Sequence, residues 1–220
     1  MGRHVEVEFA ANLSTPDNPQ STLYLLQIRP IVDSREVITE NLAAIPQEKT
    51  LISTPSALGH GTMGDVYDVV YVKPETFSAA HNQLIAYDIE ALNRRLVSEG
   101  RPYMLIGPGR WGSSDAWLGI PVKWPHISGA RLIVEAGLTS YRIDPSQGTH
   151  FFQNLTSLRV GYFTINPYLK EGGGYYDGDF LHAQPAIGET KYIRHVRFTC
   201  PLVVKIDGKK SLGVVMKPEL

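Results

Sequence analysis

A single long helical stripe among many short apolar runs constrains this chain more than any other feature. From about Thr76 to Glu99, apolar residues recur at helical spacing. Ile85, Ile89, Leu92 and Leu96 share one face, Glu90, Arg94 and Arg95 lie outside it, and Gly100 supplies a stop. Everything around this stripe reads as strand. Val5, Val7 and Phe9 alternate with Glu6 and Glu8, the pattern of a half-buried strand. Short strands are also expected over Lys49–Ser53, Val66–Val72, Tyr103–Ile106, Arg131–Ala136 and Leu158–Ile165. The tail, Tyr192–Phe198, Leu202–Ile206, the turn Asp207-Gly208 and Leu212–Met216, has the look of a β-meander. The expectation is therefore an α/β or α+β fold in which strands predominate, with no internal repeat and no low-complexity tract.

With 220 residues, the chain suits one large domain, or one domain with an appendage. Hydrophobic residues at 43% and charged residues at 20% allow a sizeable core. A net charge of −1 gives no electrostatic reason to expect nucleic acid or an anionic membrane as partner. Cys200 is the only cysteine, which excludes an intrachain disulfide and fits a reducing compartment. No run approaches the roughly 20 apolar residues that span a bilayer. Nor do the first residues form a signal-peptide core. A cytoplasmic location is the expectation. The opening residues already read as the middle of a strand, so the chain is expected to be a piece of a longer polypeptide.

The first 35 residues carry the clearest chemistry. The strand bearing Glu8 is followed by a loop of turn formers from Asn12 to Pro19, then by a second strand from about Thr22 to Ile31. On that second strand Gln27 and Arg29 stand two residues apart, so regular pleating gives them one face. Mg·ATP chemistry needs such groups. A carboxylate ligates the magnesium that bridges the phosphates, and the planar fork of Arg grips phosphate oxygens while charge shifts during transfer.

Val5-Glu-Val-Glu-Phe9 followed by Leu25-Leu-Gln-Ile-Arg-Pro-Ile31 resembles the hairpin that closes the ATP-grasp domain of phosphoenolpyruvate synthase and pyruvate phosphate dikinase. The resemblance covers about the first 32 residues. It implies a terminal hairpin of an ATP-grasp domain over 1–35, which leaves the strand-rich mixed remainder, 36–220, as a C-terminal α/β domain, phosphocarrier-like or regulatory. It also implies Glu8 as a magnesium ligand, with Gln27 and Arg29 at the nucleotide phosphates. The cofactor implied is Mg-ATP and the other partner a small-molecule phosphoryl acceptor. The family's glycine-rich phosphate loop is absent here, so the missing N-terminal part of the same polypeptide is expected to complete the site. Alone, the chain is expected to be inactive.

That family passes phosphate through a histidine, and Ser146-Gln-Gly-Thr-His150 is the nearest match to its motif. The departures are Gln147 for the second glycine, no residue between Thr149 and His150, and Phe151 and Phe152 in place of small residues. His150 is the candidate carrier, with a short helix expected over Gly148–Leu155; His126 and His60 are lesser candidates. Separately, Gly107-Pro-Gly-Arg-Trp-Gly-Ser-Ser-Asp115 follows a buried strand and offers Arg110 as an anion holder. It is not a P-loop. Zinc spacing and a nucleophile elbow are also lacking. The chain is too short to add an α/β barrel of about 250 residues after its hairpin. Two readings remain open. One is an ATP-dependent phosphotransferase. The other is a non-catalytic regulatory or interaction module attached to a nucleotide-binding domain.

Overall fold

The computed structural model describes residues 5–16, 19–30, 38–144, 155, 158–169 and 171–218. The chain divides into two compact units, Met1–Arg35 and Glu36–Leu220.

In the first unit, β1 (Val5–Asn12) and β2 (Thr22–Pro30) pair as an antiparallel ribbon. Opposite Phe9 stands Leu25, opposite Ala11 stands Leu23, and opposite Val7 stands Ile28, so one face of the ribbon is wholly apolar. The register slips by one between Glu8 and Phe9, which leaves Leu26 as an extra residue on β2. This is a β-bulge, and it inverts the alternation of everything after it on that strand.

The second unit is a strand-rich mixed α/β domain. Its strands are β3 (Thr50–Thr54), β4 (Ala57–Leu58), β5 (Gly61–Val72), β6 (Tyr103–Gly107), β7 (Arg110–Trp111), β8 (Gly119–Ile120), β9 (Ala130–Ala136), β10 (Gly161–Ile165), β11 (Tyr175–Tyr176), β12 (Ala186–Glu189), β13 (Ile193–Asp207) and β14 (Leu212–Met216). Two α-helices are described, α1 (Asn82–Ser98) and α2 (Gly178–Ala183). Ten strands form one sheet in the order β11-β3-β14-β13-β5-β6-β9-β10-β4, with β12 paired to β13. The run β5-β6-β9-β10 is parallel and the remaining pairs are antiparallel. Only Pro55 and Ser56 separate β3 from β4, yet the two lie toward opposite ends of the order. The sheet therefore curls into a half-barrel. Thr164 seals the seam, its N–H donating to Ser56 O and its carbonyl accepting from Thr54 Oγ1.

Curling sorts the side chains into two cores. Met104, Ile106, Leu132, Val134 and Phe163 fill the concave side with Val204 and Ile206. Val70, Val72, Tyr103, Leu105 and Ile133 pack on the outside against Ile85, Ile89 and Leu96 of α1. Every residue of β6 is buried, as a parallel strand covered on both faces requires.

Some boundaries differ from the sequence expectation. The helix begins at Asn82 rather than near Thr76, because Ser78 is extended and separates two short 3-10 turns, Pro74–Thr76 and Ala79–His81. The tail strands expected on either side of Cys200 are one strand, β13, which passes Pro201 through register shifts against β5. A proline without an N–H is tolerated at such a bulge. After the glycines at 172–174 come β11 and then α2, where Phe180 N–H donates to the capping carboxylate of Asp177 at 2.9 Å. The expected helix over Gly148–Leu155 lies outside the described residues, except Leu155. Among the described residues, no helix is long and apolar enough to cross a membrane.

Phe163 is fully buried in the concave core, beside the seam that closes the sheet. Phe163→Ala is expected to destabilise the second unit by about 3–5 kcal/mol, the usual range for a buried Phe cavity. Urea unfolding followed by tryptophan fluorescence checks this. An unchanged midpoint would show that the seam does not rest on that ring.

Candidate functional site

Three places hold concentrated polar chemistry. On the ribbon, the bulge decides the arrangement. Leu23, Leu25, Gln27 and Arg29 are all odd-numbered, and regular pleating would give them one face. The extra residue at Leu26 changes the parity, so Gln27 stands directly opposite Glu8 and Arg29 opposite Glu6. Positions 6, 8, 27 and 29 thus share the face that excludes Val7, Phe9, Leu25 and Ile28. Gln27 is exposed and Glu8 half-buried.

The second place is the glycine-rich turn after β6. The backbone takes the left-handed conformation at Gly109 (φ 72°) and Gly112 (φ 73°), which lets β7 fold back beside β8. Trp111 is the buried anchor. Its indole N–H donates to Val134 O at 2.9 Å, and its backbone N–H reaches Glu135 Oε1 at 3.3 Å. Arg110 Nε–H donates to the carbonyl of Asp144 at 2.8 Å. The site lies at the carboxyl ends of parallel strands, where open α/β sheets commonly bind ligands. Here, though, the space bounded by Gly109, Glu135, Gly137 and Asn166 is about 10 Å³, room for a water molecule. Trp117 is exposed.

The candidate histidines separate. His150 lies outside the described residues. His126 Nδ1 accepts the N–H of Lys123 at 3.1 Å, and His60 Nδ1 accepts that of Gly208 at 3.1 Å. Both rings brace turns.

The third place was not singled out from the sequence. Asp68, on β5, is completely buried on the helix side of the sheet, in the same alternation as Val70 and Val72. Its Oδ1 accepts from His195 Nε2 at 2.6 Å and from Arg197 Nε at 2.7 Å, while Oδ2 accepts from Arg101 Nε at 2.8 Å. Arg197 continues to Glu99 at the end of α1, at 3.1 Å. Arg95 Nη2 lies 3.1 Å from His195 Nδ1. A guanidinium only donates, so Nδ1 is the acceptor and the ring carries its proton on Nε2, directed at Asp68. Burial alone would raise the pKa of Asp68, but the hydrogen bonds from His195, Arg197 and Arg101 outweigh it and hold the carboxyl below its ordinary value. Two sequence signals were available. One is a carboxylate inside the apolar run Val66–Val72. The other is His195 in register with apolar Ile193 on β13.

Two acidic positions, Glu6 and Glu8, stand on the polar face of the ribbon. Among the described residues, no group of three or more His, Cys, Asp or Glu side chains is placed to hold a metal ion. The chain matches no family model, no curated protein and no solved structure.

A lowered pKa for Asp68 fixes the sign of a pH effect. The group contributes stability that is fully present above its unfolded value of 3.8 and is lost as pH falls through the lower folded value. Asp68→Asn is expected to cost about 3–5 kcal/mol near neutral pH, since it removes the buried anion on which the part-buried Arg101 and Arg197 converge. The gap from wild type should narrow below pH ~4 in urea unfolding. A gap that stays constant from neutrality to pH ~2 would contradict this account.

Proposed function

We propose that residues 1–35 are the closing ribbon of an ATP-grasp nucleotide-binding domain, and that the chain belongs to an ATP-dependent phosphotransferase similar to phosphoenolpyruvate synthase and pyruvate phosphate dikinase. The observation that carries this reading is the bulge at Leu26. It turns a strand of mixed parity into one that sets Gln27 opposite Glu8, with the position of Arg29 on the same face. Bulges often re-aim side chains at binding sites. The result is a rigid polar floor backed by an apolar face.

In this reading the carboxylate of Glu8 ligates the magnesium of Mg-ATP, an oxygen ligand for a hard cation. Gln27 donates to phosphate oxygens through its amide, and Arg29 neutralises charge as the phosphoryl group moves. Polypeptide outside these residues supplies the other walls. His150 is the proposed phosphoryl carrier toward a small-molecule acceptor.

A second reading makes residues 36–220 a non-catalytic regulatory or interaction module. It is favoured by the water-sized space at the carboxyl ends of the parallel strands, and by the bracing roles of His60 and His126.

Calorimetric titration of the natural polypeptide containing this chain with a non-hydrolysable Mg·ATP analogue tests the nucleotide reading. Arg29→Ala should weaken binding roughly 10- to 100-fold, the worth of one charged hydrogen bond. Glu8→Gln should do so only with magnesium present. Two variants that bind like the wild type would end the proposal.

A further inference from the structure

Between α1 and the β12–β13 edge lies a cleft of about 310 Å³, at the lower end of the range for small-ligand sites. Asp88, Leu92 and Arg95 line it from one face of the helix, Glu189 and Ile193 from the strands, and His195 from the sheet side. Every one of these residues belongs to the second unit, so the cleft stands independently of the nucleotide reading.

Its charge is uneven. At the inner end, three guanidiniums (Arg95, Arg101 and Arg197) face two carboxylates, Asp68 and Glu99. With His195 neutral, one positive charge is left over. Arg101 and Arg197 each grip Asp68 within 2.8 Å, whereas the nearest carboxylate contact of Arg95 is 3.9 Å, to Glu99. The surplus therefore resides on Arg95. Its 3.1 Å contact is to a neutral imidazole nitrogen, and its side chain is half exposed. At the other end, Glu189 meets Lys73 at 2.7 Å with Arg194 opposite it across the strands, and Asp88 receives the neutral hydroxyl of Thr190 at 2.6 Å. Asp88 and Arg95 are seven residues apart on one helix, so about 10 Å separates the two ends.

Gly188 keeps the cleft open. It pairs with His195 across the sheet, and a Cβ there would sit 3.5 Å from Arg95 Nη2 and 4.0 Å from His195 Nδ1. Any longer side chain would fill the space in front of the imidazole.

We propose that this cleft binds a small carboxylate that carries its own hydroxyl or ammonium donor beside the carboxylate, with Arg95 gripping the acid group and His195 Nδ1 accepting from the donor. The single surplus positive charge on Arg95 matches the ligand's one carboxylate. Asp68 holds the imidazole in the Nε2–H tautomer, which keeps the Nδ1 lone pair directed toward the cleft. When the ligand's carboxylate takes Arg95, its hydroxyl or ammonium takes the place the guanidinium leaves at Nδ1. An ammonium or hydroxyl further along the ligand would meet Asp88.

Glycolate and acetate test this as probes, because they differ only in the hydroxyl. In the natural polypeptide with ¹⁵N-labelled histidine, glycolate should shift the His195 ring resonances saturably, and acetate should bind roughly tenfold more weakly or worse. Arg95→Gln should abolish saturation, and Gly188→Leu, which fills the cleft while retaining every charged group, should do the same. Arg94→Gln, an exposed change on the same helix, should leave binding intact. Equal binding of the two acids would overturn the role given to His195. Absence of saturable shifts, or glycolate binding that survives Gly188→Leu, would overturn the site.

Discussion

A carboxylate buried in the middle of a strand must be neutralised or it unfolds the protein, and Asp68 governs the second unit for that reason. Its three donors come from two places. His195 and Arg197 belong to the neighbouring strand β13, and Arg101 belongs to the turn that leaves α1. One buried charge therefore fastens the sheet to the helix C-terminus, where Glu99 and Arg95 extend the network. Hydrophobic packing of Ile85, Ile89 and Leu96 would hold α1 against the sheet without fixing its exact seat. The oxygens of Asp68 demand particular donors at particular distances, and so constrain the register of β13 against β5 and the seat of the helix. The tautomer of His195 and the cleft beside it follow from that placement.

How much of this was legible in the sequence depends on the range of the interaction. The stripe of α1 was readable because Ile85, Ile89 and Leu96 repeat at helical spacing. The doubly buried strands β6 and β9 were readable because their apolar runs are continuous. The curling of the sheet was not, since it depends on β4 meeting β10 across more than a hundred residues while β3 goes elsewhere. The tail reads as separate strands, Tyr192–Phe198 and Leu202–Ile206, whereas pairing with β5 and β14 joins them into one, β13. Asp68 was passed over for a similar reason. Its partners lie 33 to 129 residues away, and a lone acid in an apolar run gives no hint of them.

The ribbon shows the same limit at short range. Glu8, Gln27 and Arg29 stood out as residue types suited to Mg-ATP. The spacing of Gln27 and Arg29 implied a common face, but it said nothing of their relation to Leu25, two residues earlier with the same parity. One bulged residue, Leu26, separates the polar positions from the apolar ones. The arrangement suits a surface that must present charge on one side while its other side is covered.

The role we propose for this chain is transfer of phosphate from ATP. Incubation of the natural polypeptide with Mg²⁺ and ATP labelled at the γ- or β-phosphate is the most direct test. The account predicts acid-labile, base-stable label on the protein, lost in His150→Ala. Label that survives in that variant would contradict the role of His150. Nucleotide bound without any label appearing on the protein would contradict the phosphotransferase itself.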